Sequence, residues 1–192
     1  MDSMTLLHAL VHLDAWRLQV CTVDHGLHPD SAMMARFVLD TCEALGIDAV
    51  AREVRVERAG RGLEHAAREA RLAVLETVSA GDPIITAHTA DDQAETMLMR
   101  LGKRAGLRGM GCIRPTRGPY RRPWLHTRRT AVEGLARRLG VRWMSDPTNA
   151  SRAHDRNRTR SDVLPAVEGA LGADWVAGLA TAAENLQSDN DA

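Results

Sequence analysis

At 192 residues the chain is long enough for one domain with a real core and a small appendage. Aromatic residues make up only 3%, so the core must be built from Leu, Val, Ala and Met. The three cysteines are far apart with no C-x-x-C pair, which argues against a disulfide framework, a zinc ribbon and a cysteine-held iron–sulfur cluster. Formal charge is zero, but 17 Lys/Arg against 3 Asp/Glu lie between Arg100 and Arg160, a segregation that suits either an anionic partner or a solvated arginine-rich face.

The start, Met1-Asp2-Ser3, has no basic leader, and the apolar run from Leu6 to Leu13 is interrupted by His8 and His12. Neither a signal peptide nor a membrane span is expected, and the cytoplasm is the default location. Leu6, Leu7, Leu10, Val11 and Leu13 follow helical spacing, with Asp2 or Ser3 as cap. Arg17 to Val23 reads as a strand ending in the polar cluster Asp24-His25-Gly26-Leu27. Ser31 to Leu45 reads as a helix stopped by Gly46 in the C′ position. Asp48 to Val56 reads as a second strand and Leu63 to Val78 as a long amphipathic helix.

Pro83 to Ala87 is short, apolar and partly β-branched, which reads as a buried strand after Gly81-Asp82-Pro83. From Asp91 the period changes to that of a helix carrying Ala94, Met97, Leu98 and Leu101. Asp91 and Glu95 lie four apart and Asp92 and Glu95 three apart, so three carboxylates share the start of that helix. Such a position, past a strand's carboxyl end, is where open α/β sheets bind ligands. The structural alternative is a helix start with Thr89 as N-cap and Asp92 at N3. After Lys103 the text becomes rich in Gly, Arg and Pro up to Pro123 and reads as a long loop. Thr130 to Leu139 is helical, Val141 to Met144 reads as a short strand, Trp175 to Leu186 is a last helix, and Gln187 to Ala192 a frayed polar tail. Alternating helices and strands imply a parallel sheet with crossover helices, although a doubly wound domain usually begins with a strand and this chain with a helix.

Two polar clusters, Asp24-His25 and Asp91-Asp92-Glu95, are therefore expected at strand ends of one sheet. Carboxylates gathered with little to neutralise them commonly hold Mg²⁺ that bridges to nucleotide phosphates. Asp2-Ser3 at a helix N-terminus would face phosphate. His25 and His88 could be ligands or bases, or structural histidines beside strands. Arg68 and Arg71 share a helix face, either as a phosphate clamp or as part of a solvated surface in which Glu64 pairs with Arg68. The segment Arg156-Asn157-Arg158-Thr159-Arg160 is dense in bidentate donors and suits phosphate or RNA backbone.

Taken in order, these segments resemble tRNA(Ile)-lysidine synthase, of the N-type ATP pyrophosphatase (PP-loop) superfamily. The motifs are V-D-H-G-L at Val23–Leu27, A-R-E-A-R at Ala67–Arg71, A-H-x-A-D-D-Q-A-E-T at Ala87–Thr96 and G-L-R-G-M at Gly106–Met110. R-P at Arg114–Pro115, D-P-x-N at Asp146–Asn149 and D-R-N-R-x-R at Asp155–Arg160 complete the ordered set. The resemblance implies an α/β, Rossmann-like parallel sheet of the adenine nucleotide alpha-hydrolase-like kind, with a nucleotide domain over 1–125 and a helical extension over 126–192. It implies ATP and Mg²⁺ as cofactors, and two steps. ATP adenylates C2 of the wobble cytidine, and the amine of free lysine then displaces AMP. The implied partner is an isoleucine tRNA, met at its anticodon loop, with a homodimer left open and no membrane. Asp91, Asp92 and Glu95 match the acidic motif and would act in catalysis together with Arg156, with Mg²⁺ on Asp91 and Asp92. Asp2, Ser3, Asp24, His25, Gly26, His88 and Arg68 would hold the nucleotide. Arg71, Arg156, Asn157, Arg158 and Arg160 would contact tRNA.

Some positions depart from the family pattern. Met1-Asp2-Ser3 matches only the end of the S-G-G-x-D-S phosphate loop, so its serine and both glycines are absent, and weak or absent ATP turnover is expected. Leu72 stands where tyrosine is common, Thr89 where a second histidine is common, and Lys103-Arg104-Ala105-Gly106 in place of R-G-S-G. Two other readings stay open, a non-catalytic tRNA-binding remnant and a related PP-loop tRNA thiolation enzyme, although such enzymes typically use a cysteine pair.

Overall fold

The computed structural model describes residues 1–26, 29–54, 63–145, 152, 154–172 and 174–191, with the side chains of 63–65 excepted. The chain divides into two compact units. Val56, Leu27, Glu64's side chain and the Asp146–Asn149 turn of the sequence analysis lie outside what is described.

One unit comprises residues 6–84 and 142–144. It contains most of helix α1 (Asp2–Leu13), strand β1 (Gln19–Asp24), helix α2 (Ser31–Ala44), strand β2 (Asp48–Glu53) and helix α3 (Leu63–Ser79). β1 and β2 are parallel and in register from Gln19↔Asp48 to Asp24↔Glu53, as expected of strands joined through a crossover helix. α2 ends where the sequence places its stop. Gly46 has φ +69°, its amide donates to the Glu43 carbonyl and that of Ile47 to the Cys42 carbonyl, the paired bonds of a glycine-terminated helix.

The second unit comprises residues 1–5, 85–141 and 145–192. Its elements are β3 (Ile84–Ile85, entering from the first unit), α4 (Ala90–Gly102), α5 (Leu107–Met110), β4 (Thr116–Arg117), β5 (Tyr120–Arg121), α6 (Arg129–Arg138), α7 (Asp155–Arg158), α8 (Leu164–Leu171) and α9 (Asp174–Asp191). α4 packs on α9 through small residues. Ala90, Ala94, Val176 and Ala180 form a buried cluster with Leu164, and Met97, Met110 and Ala183 form a second. Gln93 of α4, itself buried, donates to the Ile113 carbonyl at 2.7 Å and accepts from the Ile113 amide at 2.8 Å.

Between α7 and α8 the helix passes through a π-turn at Thr159–Val163, where the Leu164 amide reaches back five residues to the Thr159 carbonyl. At about 100° per residue, positions 156 and 168 of an uninterrupted α-helix would differ by about 120°. One extra residue in the turn cuts that to about 20°. Arg156, Arg160, Leu164 and Glu168 consequently keep to one side.

Several sequence expectations change here. β3 is only two residues long and belongs to a three-stranded sheet in the order β3-β5-β4, separate from β1-β2. The Asp24-His25 and Asp91–Glu95 clusters are therefore not at the ends of one sheet. The Gly/Arg/Pro-rich stretch is ordered rather than a loop throughout. It forms α5 and a hairpin turning at Gly118 (φ +53°), with Arg122 buried and donating to the Arg114 carbonyl. Val141–Met144 forms no strand, because Val141 is spent closing α6 through its amide bond to Ala136. The tail from Gln187 is helical to Asp191, since Gln187 is buried and donates to the Ile113 carbonyl while Asp191 pairs with Arg114. Asp2 and Ser3 lie within α1 rather than capping it, the Thr5 amide bonding back to the Met1 carbonyl. No single helix among the described residues is long and apolar enough to cross a membrane.

Candidate active site

The start of α4 is both a helix cap and a polar centre. Thr89 is the N-cap in extended geometry, and the Asp92 amide donates to its hydroxyl. Asp92 Oδ2 in return accepts from the Thr89 amide at 2.8 Å and hydroxyl at 2.9 Å. This is a capping box with Asp at N3. The other oxygen, Asp92 Oδ1, accepts from Arg129 at 3.0 Å, Arg156 at 2.8 Å and Arg160 at 3.2 Å. Glu95, fully buried one turn further, accepts from the same three guanidiniums: Arg129 at 3.1 Å and Arg160 at 2.7 Å on Oε1, Arg156 at 2.9 Å and Arg160 at 3.1 Å on Oε2. A buried glutamate is costly unless charges and hydrogen bonds surround it, and these do.

Asp91 completes the centre from its other side. Its Oδ2 accepts the Arg129 backbone amide at 2.6 Å, so a side chain of α4 caps α6. Arg128 donates to Asp91 at 3.3 Å and also to Glu168 of α8. Asp2 accepts from Arg129 Nε at 3.3 Å.

The charges reinforce one another. Burial pushes the Asp92 carboxyl up, but Arg129, Arg156 and the Thr89 amide more than offset this and leave it below its ordinary value. Burial opposes the charge on Arg129 and Arg156, and the carboxylates of Asp92 and Glu95 raise both guanidiniums above theirs.

This donor set does not fit a protein-held Mg²⁺. The sequence reading supposed that little neutralises the acids, whereas every carboxylate oxygen of Asp92 and Glu95 already accepts at least one hydrogen bond. Among the described residues no group of three or more His, Cys, Asp or Glu side chains is placed to hold a metal ion.

In the other unit, β1 ends at the buried Asp24, whose Oδ1 accepts the Gly26 amide at 2.8 Å in a turn where Gly26 has φ +61°. A left-handed residue at that position favours glycine. His25 Nδ1 is buried with no hydrogen-bond partner among the described residues. Burial first, then the charge of Arg71, lowers the His25 pKa, with Asp24 partly opposing. The ring is therefore neutral near pH 7 and offers a lone pair or an N–H to a ligand.

A family model described as a PP-loop domain matches residues 1–167. The chain belongs to the PP-loop family. A tRNA(Ile)-lysidine synthase of Mycobacterium tuberculosis is 40% identical over 191 residues, covering 99% of this chain and 58% of that protein. Another from Xanthomonas campestris pv. campestris is 41% identical over 177 residues, covering 88% and 41%, and one from Treponema pallidum is 40% identical over 195 residues, covering 93% and 40%. The chain thus spans roughly half the length of the curated relatives it matches. Among solved structures, the U34-tRNA thiolase NcsA of Methanococcus maripaludis superposes with a TM-score of 0.80 over 97% of this chain and 69% of that one, at 16% identity. That likeness shows the α/β fold.

Within this PP-loop chain, Asp2, Asp91, Asp92, Glu95, Arg156 and Arg160 of the sequence-derived candidates come together. His88 sits beside them, bonded through Nδ1 to the Thr86 hydroxyl at 3.0 Å, and its charge helps to lower Asp92. Ser3 is exposed and outside the network. Arg158 is exposed and turns away to Asp155 and the Arg152 carbonyl, while Asn157 is half-buried. Asp24, His25, Gly26, Arg68 and Arg71 belong to the other unit, Arg68 and Arg71 on the exposed side of α3. Sequence reasoning missed Arg128, Arg129 and Glu168. A signal existed, because two arginines at the start of α6 oppose the helix dipole and call for acidic partners.

Proposed function

We propose that this PP-loop chain joins lysine to C2 of the wobble cytidine of an isoleucine tRNA, using ATP to adenylate that position. The observation that carries the reading is the set of three guanidiniums fixed on Asp92 and Glu95 at the start of α4. Attack of the cytidine oxygen on the α-phosphate develops negative charge on departing pyrophosphate, and preorganised cations lower that barrier without reorganising. The lysine amine then displaces AMP. The similarity to lysidine synthases over nearly the whole chain supports the choice of substrate.

Roles are carried over residue by residue from the resemblance to lysidine synthases. Asp24, His25 and Gly26 form the turn assigned to the nucleoside, with Arg68, Arg71, Asp2, Ser3 and His88 as further nucleotide or tRNA contacts. Arg156 acts at the reacting phosphates, and Asn157, Arg158 and the exposed arginines of the basic segment serve tRNA. The acids are saturated by guanidinium donors, so Mg²⁺ would be held by ATP's own phosphates rather than by Asp91 and Asp92.

With the phosphate loop completed by a Ser-Gly-Gly-x ahead of Asp2-Ser3, the protein incubated with ATP, labelled lysine and an isoleucine tRNA transcript should give lysine incorporation and tRNA-dependent pyrophosphate release. Asp92→Ala should lower both by about 100-fold or more. Undiminished release from the variant would remove Asp92 from the chemistry. Saturable tRNA affinity with no ATP affinity would instead identify a tRNA-binding module.

A further inference from the structure

We propose that Arg129, Arg156 and Arg160 form a metal-independent polyphosphate site, assembled in advance on the buried Asp92–Glu95 pair. Naming the ligand as the pyrophosphate leaving group rests on the ligase reading; the site itself rests on the geometry.

The cluster is layered by charge. The Glu95 side chain is 0% exposed and that of Asp92 9%, whereas those of Arg129, Arg156 and Arg160 are 15%, 30% and 35% exposed. The negative layer lies inside and the positive layer towards solvent. Three guanidiniums stand over two carboxylates, which leaves the pair of layers one positive charge in excess. Two edges carry further acids: Asp2 beside Arg129 on one, and Asp91 and Glu168 around Arg128 on the other. Arg129 is consequently the most committed of the three, and Arg156 and Arg160 are the residues that face an incoming ligand.

Each guanidinium offers five N–H donors in a rigid fork. Arg156 spends Nε and Nη2 on the acids, and Arg160 likewise. Nη1 of both has no partner among the described residues. The two heads share Glu95, so they lie within the span of one carboxylate, a spacing that suits the linked phosphoryl groups of a diphosphate. A phosphodiester, with one charge, would engage a single head. The acids thus act as positioning residues. They hold the forks in place before the ligand arrives and so remove the ordering cost that flexible arginines would otherwise add.

This arrangement predicts a sign that distinguishes it from an acidic metal cage. Inorganic pyrophosphate is titrated calorimetrically into the intact chain in EDTA at low salt. Saturable binding is expected, with orthophosphate at least about 10-fold weaker. Arg156→Ala with Arg160→Ala should weaken pyrophosphate by about 100-fold, while the charge-matched pair Arg17→Ala with Arg36→Ala, exposed arginines of the other unit, should stay within about 2-fold. Glu95→Gln removes a negative charge, and by Coulomb's law alone would tighten binding of an anion. A positioning role predicts weakening by about 10-fold instead. Asp92→Asn provides the same comparison if Glu95→Gln melts early in a thermal scan.

Pyrophosphate binding that requires Mg²⁺, tighter binding by both acid variants, or a short RNA competing more strongly than pyrophosphate would each overturn the site. Lysine ligation by a chain that does not bind pyrophosphate in EDTA removes this site and spares the ligase reading. Pyrophosphate binding that fits these expectations in a protein that never ligates lysine, even with its phosphate loop completed, removes the ligase reading and supports the site.

Discussion

On Asp92 the two oxygens divide two tasks, Oδ2 closing the cap of α4 and Oδ1 gathering three arginines. Cap and active site were competing readings of this stretch in the sequence; the cap is formed, and the same carboxylate also anchors the arginine cluster proposed to act on phosphate. The cap was legible because Thr89 and Asp92 are three apart. The arginines were not, since spacing along the chain cannot show which of 17 basic residues turn inward. The pH behaviour follows from the Asp92 shift. Its folded pKa lies below its unfolded value of about 3.9, so its contribution is complete above that pH and is lost as pH falls through the folded value. Asp92→Asn should lower stability to urea by about 3–5 kcal/mol at pH 7, because it leaves buried guanidiniums short of a partner. The deficit relative to the unsubstituted chain should shrink as pH falls below the ordinary carboxylate range, where Asp92 itself takes up a proton. A deficit that is constant with pH would mean that the charge is not what matters.

Among the elements, the contact between α4 and α9 depends on the smallness of Ala90, Ala94, Ala180 and Ala183. Ala94 is fully buried, and Ala94→Leu has no room to enlarge. The expected loss is about 1–3 kcal/mol by urea denaturation, with the melting transition lowered accordingly. Helical periods were readable for α2, α3 and α4, and the boundaries fall within a residue or two of those expected. What failed were elements whose fate depends on distant partners. Val141–Met144 has strand composition but finds no strand to pair with, and Gln187 looks like tail composition until the carbonyl of Ile113 is there to receive it. The π-turn is likewise invisible in composition, because it is an adjustment that lets one helix present arginines at one end and Glu168 at the other.

For the molecule as a whole, the basic middle of the sequence overstates the charge on the surface. Arg122 is buried, and Arg128, Arg129, Arg156 and Arg160 are bound to internal acids, while Arg104, Arg108, Arg117, Arg121, Arg137, Arg138 and Arg142 are exposed. If the exposed set meets tRNA, log affinity should fall linearly with log salt, at a slope of about 0.7–0.9 per phosphate neutralised. Replacing Arg137 and Arg138 with alanine should then lower the slope by one to two units, measured by filter binding between about 50 and 200 mM salt. Removing Arg156 and Arg160 should leave the slope nearly unchanged. A slope that responds to Arg156 and Arg160 instead would place the tRNA backbone at the acidic centre.

Glu95 also sets an order of events. Its guanidinium partners lie 34, 61 and 65 residues further along the chain. As the protein emerges from the ribosome, α4 is complete long before the charges that make its buried carboxylate tolerable. Long-range closures are slow, and a segment that awaits them stays open. The second unit therefore cannot settle in pieces. The native packing of α4 requires Arg129, Arg156 and Arg160 together, so the acidic centre closes only with the segments that carry them.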